Sequence, residues 1–257
     1  MAMNFAGTFR NAPRSVRLLA AAALAWLLAG GAAQAQLFTK AAVLRHFEQF
    51  ALTALTPQEQ PAVVRWERPG VVLLDGKDMS DAERKIVEET VGTLARSSGH
   101  DFHIYRPGEA ANIVVGFVEP FDQAIEGRYR DLFNRLFQDP LRHIELLLKA
   151  ARSGGVNCLY RPAVADFRII GGLVLVKPGL PEAKTRKCLS LFLGKMAGLL
   201  GEARQAEARA GSALDEDFEH LRYNALDREI VRLLYLKDLT PGMRKDEALR
   251  TLDRHLR

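Results

Sequence analysis

The sequence predicts an α+β fold: a mixed sheet carrying one antiparallel edge strand, long helices packed on it, and a helical C-terminal part. Three observations predict it. Between Val71 and Val118 an apolar run, an amphipathic helix and two further apolar runs follow one another, an order that sets strands beside a covering helix. Two β-rich runs around Gly171-Gly172 then read as a tight hairpin, which brings in the antiparallel strand. After it comes "KCLSLFLGKMAGLLGE", Lys187 to Glu202, with apolar residues recurring at helical spacing.

The elements follow in order. Leu37 to Leu55 reads as a helix with Val43, Phe47, Phe50 and Ala51 on one side; Pro57 stops it, and Pro61 opens an extended segment. Val71 to Leu74 is a short buried strand ended by the Asp75-Gly76 turn. Ser80-Asp81-Ala82-Glu83 is a capping box, so a helix opens there; Gly99 closes it, and Val87, Val91, Leu94 and Ala95 form its buried stripe. Phe102 to Tyr105 and Ile113 to Val118 are strands separated by the Pro107-Gly108 turn. Tyr129, Leu132, Phe133, Leu136 and Phe137 make an amphipathic helix broken by Pro140, and Leu141, Ile144, Leu148 and Ala151 continue a second. The pair reads as a helical insertion at about 121–152 whose stripe is core packing, in preference to a lid. Val164 to Ile170, including Arg168 and Ile169, is assigned as the antiparallel edge strand, with Leu173 to Val176 beside it. A polar stretch (202–217), a helix from Asp227 to Leu236 and a short charged helix after "LTPGM" complete the chain.

Residues 1–35 read as an export signal. Arg10, Arg14 and Arg17 make a basic start without an acid, Leu18 to Ala29 is an apolar core, and Ala33-Gln34-Ala35 fits a small-x-small cleavage site. An uncleaved anchor wants about 20 apolar residues, so cleavage is expected. The remainder, 36–257, is predicted to be a single periplasmic or secreted domain with no stable membrane span. The net charge of +5 does not indicate nucleic acid: without the three signal arginines, 33 basic residues face 31 acidic ones. A nucleic-acid partner would need a clustered basic face.

Cys158 and Cys188 are the two cysteines. An even count in an oxidising compartment reads as one disulfide; two buried thiols or part of a metal site are the rival readings, and the absence of CxxC spacing weakens the metal.

The predicted order resembles the zincin fold of metallopeptidases, in its metzincin branch. More closely, "RWERP" (Arg65 to Pro69), "SSGHDF" before "ANIVVGF" (Ala111 to Phe117), the Cys158 and Cys188 pair, and "LDREIVRLLYLKDLTPGM" (Leu226 to Met243) resemble an exported bacterial domain-of-unknown-function family, DUF2927. The resemblance implies a zincin-like domain. A zincin helix would carry His-Glu-x-x-His, two imidazoles one turn apart on Zn²⁺ with the glutamate as general base. Setting Gly198 on the metzincin glycine places Leu191 and Phe192 where His and Glu would be, Lys195 at the second His and Gly201 at the third. Neither ligand nor base remains, so no catalytic residue, metal or cofactor is expected. Met243 resembles the methionine turn in placement and becomes a packing residue.

Other chemistry has little support. His100 and His103 flank a strand start and point to opposite faces, which suits surface or capping roles. Ser190 and Ser212 lack a nucleophile-elbow turn, and Asp215, Glu216 and Asp217 match no calcium loop. The reading is therefore a non-catalytic, zincin-like envelope or secreted protein with a binding or structural role. An extended peptide or envelope protein along the edge strand is the expected partner. The alternative is a metallopeptidase or other hydrolase with a non-standard site.

Overall fold

The computed structural model describes residues 38–56, 58–77, 79–201 and 223–256. The expected export signal and the 202–217 stretch, with Ser212 and the acidic trio, lie outside these residues. The elements are α1 (Lys40–Ala51), β1 (Leu52–Thr53), β2 (Ala62–Val63), β3 (Gly70–Asp75), α2 (Asp81–Ser98), β4 (Phe102–Ile104), β5 (Ile113–Phe117), α3 (Phe121–Glu126), α4 (Arg130–Leu136), α5 (Pro140–Arg152), β6 (Cys158–Ala165), β7 (Arg168–Val176), α6 (Glu182–Met196), α7 (Ala225–Leu234) and α8 (Lys245–His255). The fold is α+β, with a five-stranded sheet in the order β4-β3-β5-β7-β6 and a separate β1-β2 pair. Within the larger sheet every pairing is parallel except β6 with β7.

Local chemistry sets the helix ends. Ser80 Oγ accepts from Glu83 N (3.2 Å) while Glu83 Oε2 accepts from Ser80 N (2.8 Å), closing the capping box, and Gly99 ends α2 at φ 65°. α7 has the same device in Asn224 and Asp227, so it starts two residues before the expected Asp227. The first helix is shorter than expected, because Leu52 and Thr53 leave it to pair with Val63 and Ala62.

Side chains alternate across the sheet and so build two cores. Val115, Phe117, Val174 and Val176 face α2 and α6, packing with Val87, Val91, Leu189 and Met196. Val114, Leu173 and Leu175 face the opposite layer, α3 to α5, and pack with Ile125, Phe133, Ile144 and Leu148. The 129–151 stripe thus packs as core, as expected, and covers a sheet face, except at Leu141, which is exposed. A third cluster joins α1, α7 and α8 through Phe47, Ile230, Leu233 and Leu252.

The hairpin differs from expectation. Its turn is Asp166-Phe167, with φ of 48° and 62°, and not Gly171-Gly172. Two consecutive positive φ values suit the right-handed twist of a two-residue hairpin and usually demand Asn or Gly. Here Phe167 is held from outside: its carbonyl accepts from Arg65 N (3.3 Å), and Arg244 lies 5.4 Å from its ring centroid. Gly171 and Gly172 lie inside β7 because helices press on both sides. A Cβ at Gly171 would sit 2.7 Å from Leu136 of α4, and one at Gly172 would strike Met196 of α6. The edge strand is therefore β6, residues 158–165. Val164 lies on it, one residue before its end, whereas Arg168 and Ile169 belong to the inner strand β7.

His143 of α5 marks where this helical layer meets β6. Its ring stacks 4.1 Å from Phe137, and Nδ1 accepts from Arg161 Nε at 2.8 Å. Burial first, then the Arg161 charge, lowers its pKa from about 6.5 to about 4. The unfolded chain therefore takes the proton before the folded one does. The stability this group contributes is complete above pH 6.5 and is lost as pH falls toward 4. His143→Gln should flatten that acid limb by up to about 1 kcal/mol, because the ring is partly solvated. Melting temperatures of both proteins between pH 7 and 4.5 check it; parallel curves would refute the assignment.

Candidate functional site

The helix singled out by the sequence, α6, is a core element. Phe192 is 5 % exposed and stacks on Tyr160 of β6 with centroids 4.5 Å apart. Leu191, one residue earlier, turns further outward and is only half-buried. Lys195 is buried at 6 % exposure and is engaged by a partner. Cys158, at the start of β6, and Cys188, on α6, form the disulfide, clamping this helix to the edge strand.

The glycines after the helix serve close approach. Gly198 has φ +104°, and a Cβ there would lie 2.5 Å from Val64 O and 2.9 Å from Leu234. Gly201 donates to Phe50 O at 2.9 Å and has no room for a Cβ beside Gln49. Met243 does not join the cluster of Leu191 and Phe192. It packs with α1, α7 and α8, and its carbonyl accepts from Val63 N at 2.9 Å.

The carbonyls at the end of α6 are capped by two aromatic side chains. Trp66 Nε1 donates to Met196 O (2.6 Å), and Tyr235 OH donates to Ala197 O (3.0 Å). The same two residues border a recess of about 270 Å³, together with Arg65, Glu67, His100 and the Ser98-Gly99 end of α2. The segments that carried the family resemblance, around Arg65, His100 and Tyr235, thus meet in one place. Asn112 supports it from behind, its Oδ1 accepting from Val71 N and its Nδ2 donating to Pro69 O, both at 2.8 Å.

Arg65 forms the charged wall. Its Nη1 donates to Leu234 O (3.0 Å) and Leu236 O (2.9 Å), and its Cζ lies 5.7 Å from the Tyr235 ring centroid. Its Nε is buried without a partner among the described residues. Burial lowers the guanidinium pKa somewhat, but an arginine remains a cation. The His100 ring lies tilted 4.8 Å from Tyr235 and edge-on 5.0 Å from Phe102. Its Nε2 lies 2.9 Å from Arg68 O, an acceptor, so that nitrogen carries the proton and Nδ1 keeps its lone pair. Burial, the largest influence, lowers its pKa, and the Arg65 charge adds to this against the Arg68 carbonyl; the ring is neutral at pH 7. Burial likewise raises the Tyr235 phenol well above its ordinary value. His100 is partly buried, at the wall of the recess. His103 is separate, held between Asp101 (2.8 Å) and Glu109 (3.1 Å).

Arg168, assigned by the sequence to the edge strand, pairs with Glu67 at the rim. Ile169 N donates to Arg65 O at 3.0 Å, so the start of β7 is covered by the Arg65 segment. On the true edge, β6, Pro162 stands opposite Gly172, whose N–H points the other way, to Asn112 O at 2.9 Å. Pro162 therefore faces outward, where an added strand would need a donor that proline lacks.

Among the described residues no group of three His, Cys, Asp or Glu side chains could hold a metal, and no helix is long and apolar enough to cross a membrane. No curated protein and no solved structure matches the chain. A family model described as "Protein of unknown function (DUF2927)" matches residues 40–254. The chain belongs to the DUF2927 family.

Proposed function

We propose that this protein is an exported, non-catalytic zincin-like domain that serves the cell envelope as a binding or structural module. One observation carries the reading: the helix that would hold a zincin's metal presents Leu191, Phe192 and Lys195 at the ligand and base positions, with Phe192 packed under Tyr160. The sheet order supports it, with three parallel strands leading to β7, a single antiparallel edge strand, and α6 directly after it. α3 to α5 stand as the helical insertion between β5 and β6, and residues 1–35 as the export signal. An extended partner laid on β6 would meet Pro162, which favours recognition away from that part of the sheet edge.

The test is metal analysis of the purified 36–257 chain alongside hydrolysis of a mixed peptide pool. The expected result is substoichiometric zinc and no cleavage. Stoichiometric zinc with chelator-sensitive cleavage would establish the metallopeptidase alternative.

A further inference from the structure

The geometry points to a carboxylate-binding site in the recess beside Arg65, taking a small acid or a peptide C-terminus that carries a hydrogen-bond donor next to its carboxylate. The inference stands whether or not the protein has catalytic activity elsewhere. Arg65 is anchored, since Nη1 is occupied by the Leu234 and Leu236 carbonyls, which hold the guanidinium plane in place. Its Nε is buried without a hydrogen bond to any described residue. A half-buried guanidinium so held offers a preorganised donor edge, to which a planar carboxylate is the matching acceptor.

The charge count selects the ligand. Glu67, the one acid at the recess, is paired with Arg168, and His100 is neutral, so Arg65 leaves about one positive charge uncompensated. A single carboxylate balances it. A phosphate dianion would bring a second negative charge with no further cation in the lining to balance it. The lone pair on His100 Nδ1 accepts from a hydroxyl, ammonium or amide N–H adjoining the carboxylate. Tyr235 and Trp66 supply apolar walls, and about 270 Å³ accommodates a small acid or one terminal residue.

Calorimetric titration tests this with four probes: lactate, an N-acetyl dipeptide with a free C-terminus, the same dipeptide as its C-terminal amide, and inorganic phosphate. The expected result is binding of one or both carboxylates at millimolar or better affinity, no binding of the amide, and weaker binding of phosphate. Which carboxylate binds assigns the source, small acid or peptide end. Arg65→Lys should weaken the carboxylate at least tenfold, and His100→Ala by about threefold, with thermal melts showing both folded. Should Arg65→Lys unfold because its carbonyl anchors are lost, His100→Ala and the amide control carry the test. No carboxylate binding at 10 mM, equal binding of acid and amide, tighter binding of phosphate, or unchanged affinity in the folded variants would each overturn the site.

Discussion

Replacing Cys158 and Cys188 together by serine is expected to lower the free energy of unfolding by about 3–4 kcal/mol, the loop-closure entropy of a cross-link spanning 30 residues. The bond joins the edge strand β6 to α6, elements otherwise connected through the β6-β7 hairpin, so its loss frees an outer strand and the helix packed behind it. Cys188 is 7 % exposed, so the serine hydroxyl adds a small desolvation cost. Urea unfolding of the oxidised protein, the reduced protein and the double variant measures this. Reduced protein and variant should agree closely. A loss below about 1 kcal/mol would mean that the reduced, unfolded chain keeps the hairpin formed.

Phe192→Ala should cost about 3–5 kcal/mol, whereas Leu191→Ala should cost about 1–2. The residues are adjacent, yet the helix turns one into the core and leaves the other partly exposed at its margin. Truncating Phe192 removes the Tyr160 stack and opens a void between α6 and the sheet, in a region already fixed by the disulfide and therefore unable to collapse fully. Chemical denaturation of both variants checks the contrast. Equal costs would show that α6 is rotated from the orientation described.

The parts of this fold legible in the sequence are those decided within one element or its immediate flanks. Ser80 and Glu83 close a capping box because they are three residues apart, whatever packs nearby. The stripe of Val87, Val91 and Leu94 is buried because helical period and apolarity coincide. The Cys158–Cys188 bond agrees with the reading preferred for two cysteines over free thiols or a metal site, and the absence of His-Glu-x-x-His from α6 is visible in the residues themselves.

What only the tertiary structure decided depends on partners distant in the chain. Gly171-Gly172 reads as a turn by local chemistry, but Leu136 and Met196 converge on β7 from opposite faces, and the glycines provide room for them. The actual turn, Asp166-Phe167, lacks glycine because Arg65 and Arg244, remote in sequence, hold Phe167 in place. The recess is the extreme case. Arg65, His100 and Tyr235 share no periodicity or spacing, and each alone reads as an ordinary loop or helix-end residue. They line one recess when the segments around β3, α2 and α7 come together, because proximity across more than a hundred residues is set by the packing of whole elements and not by any local preference.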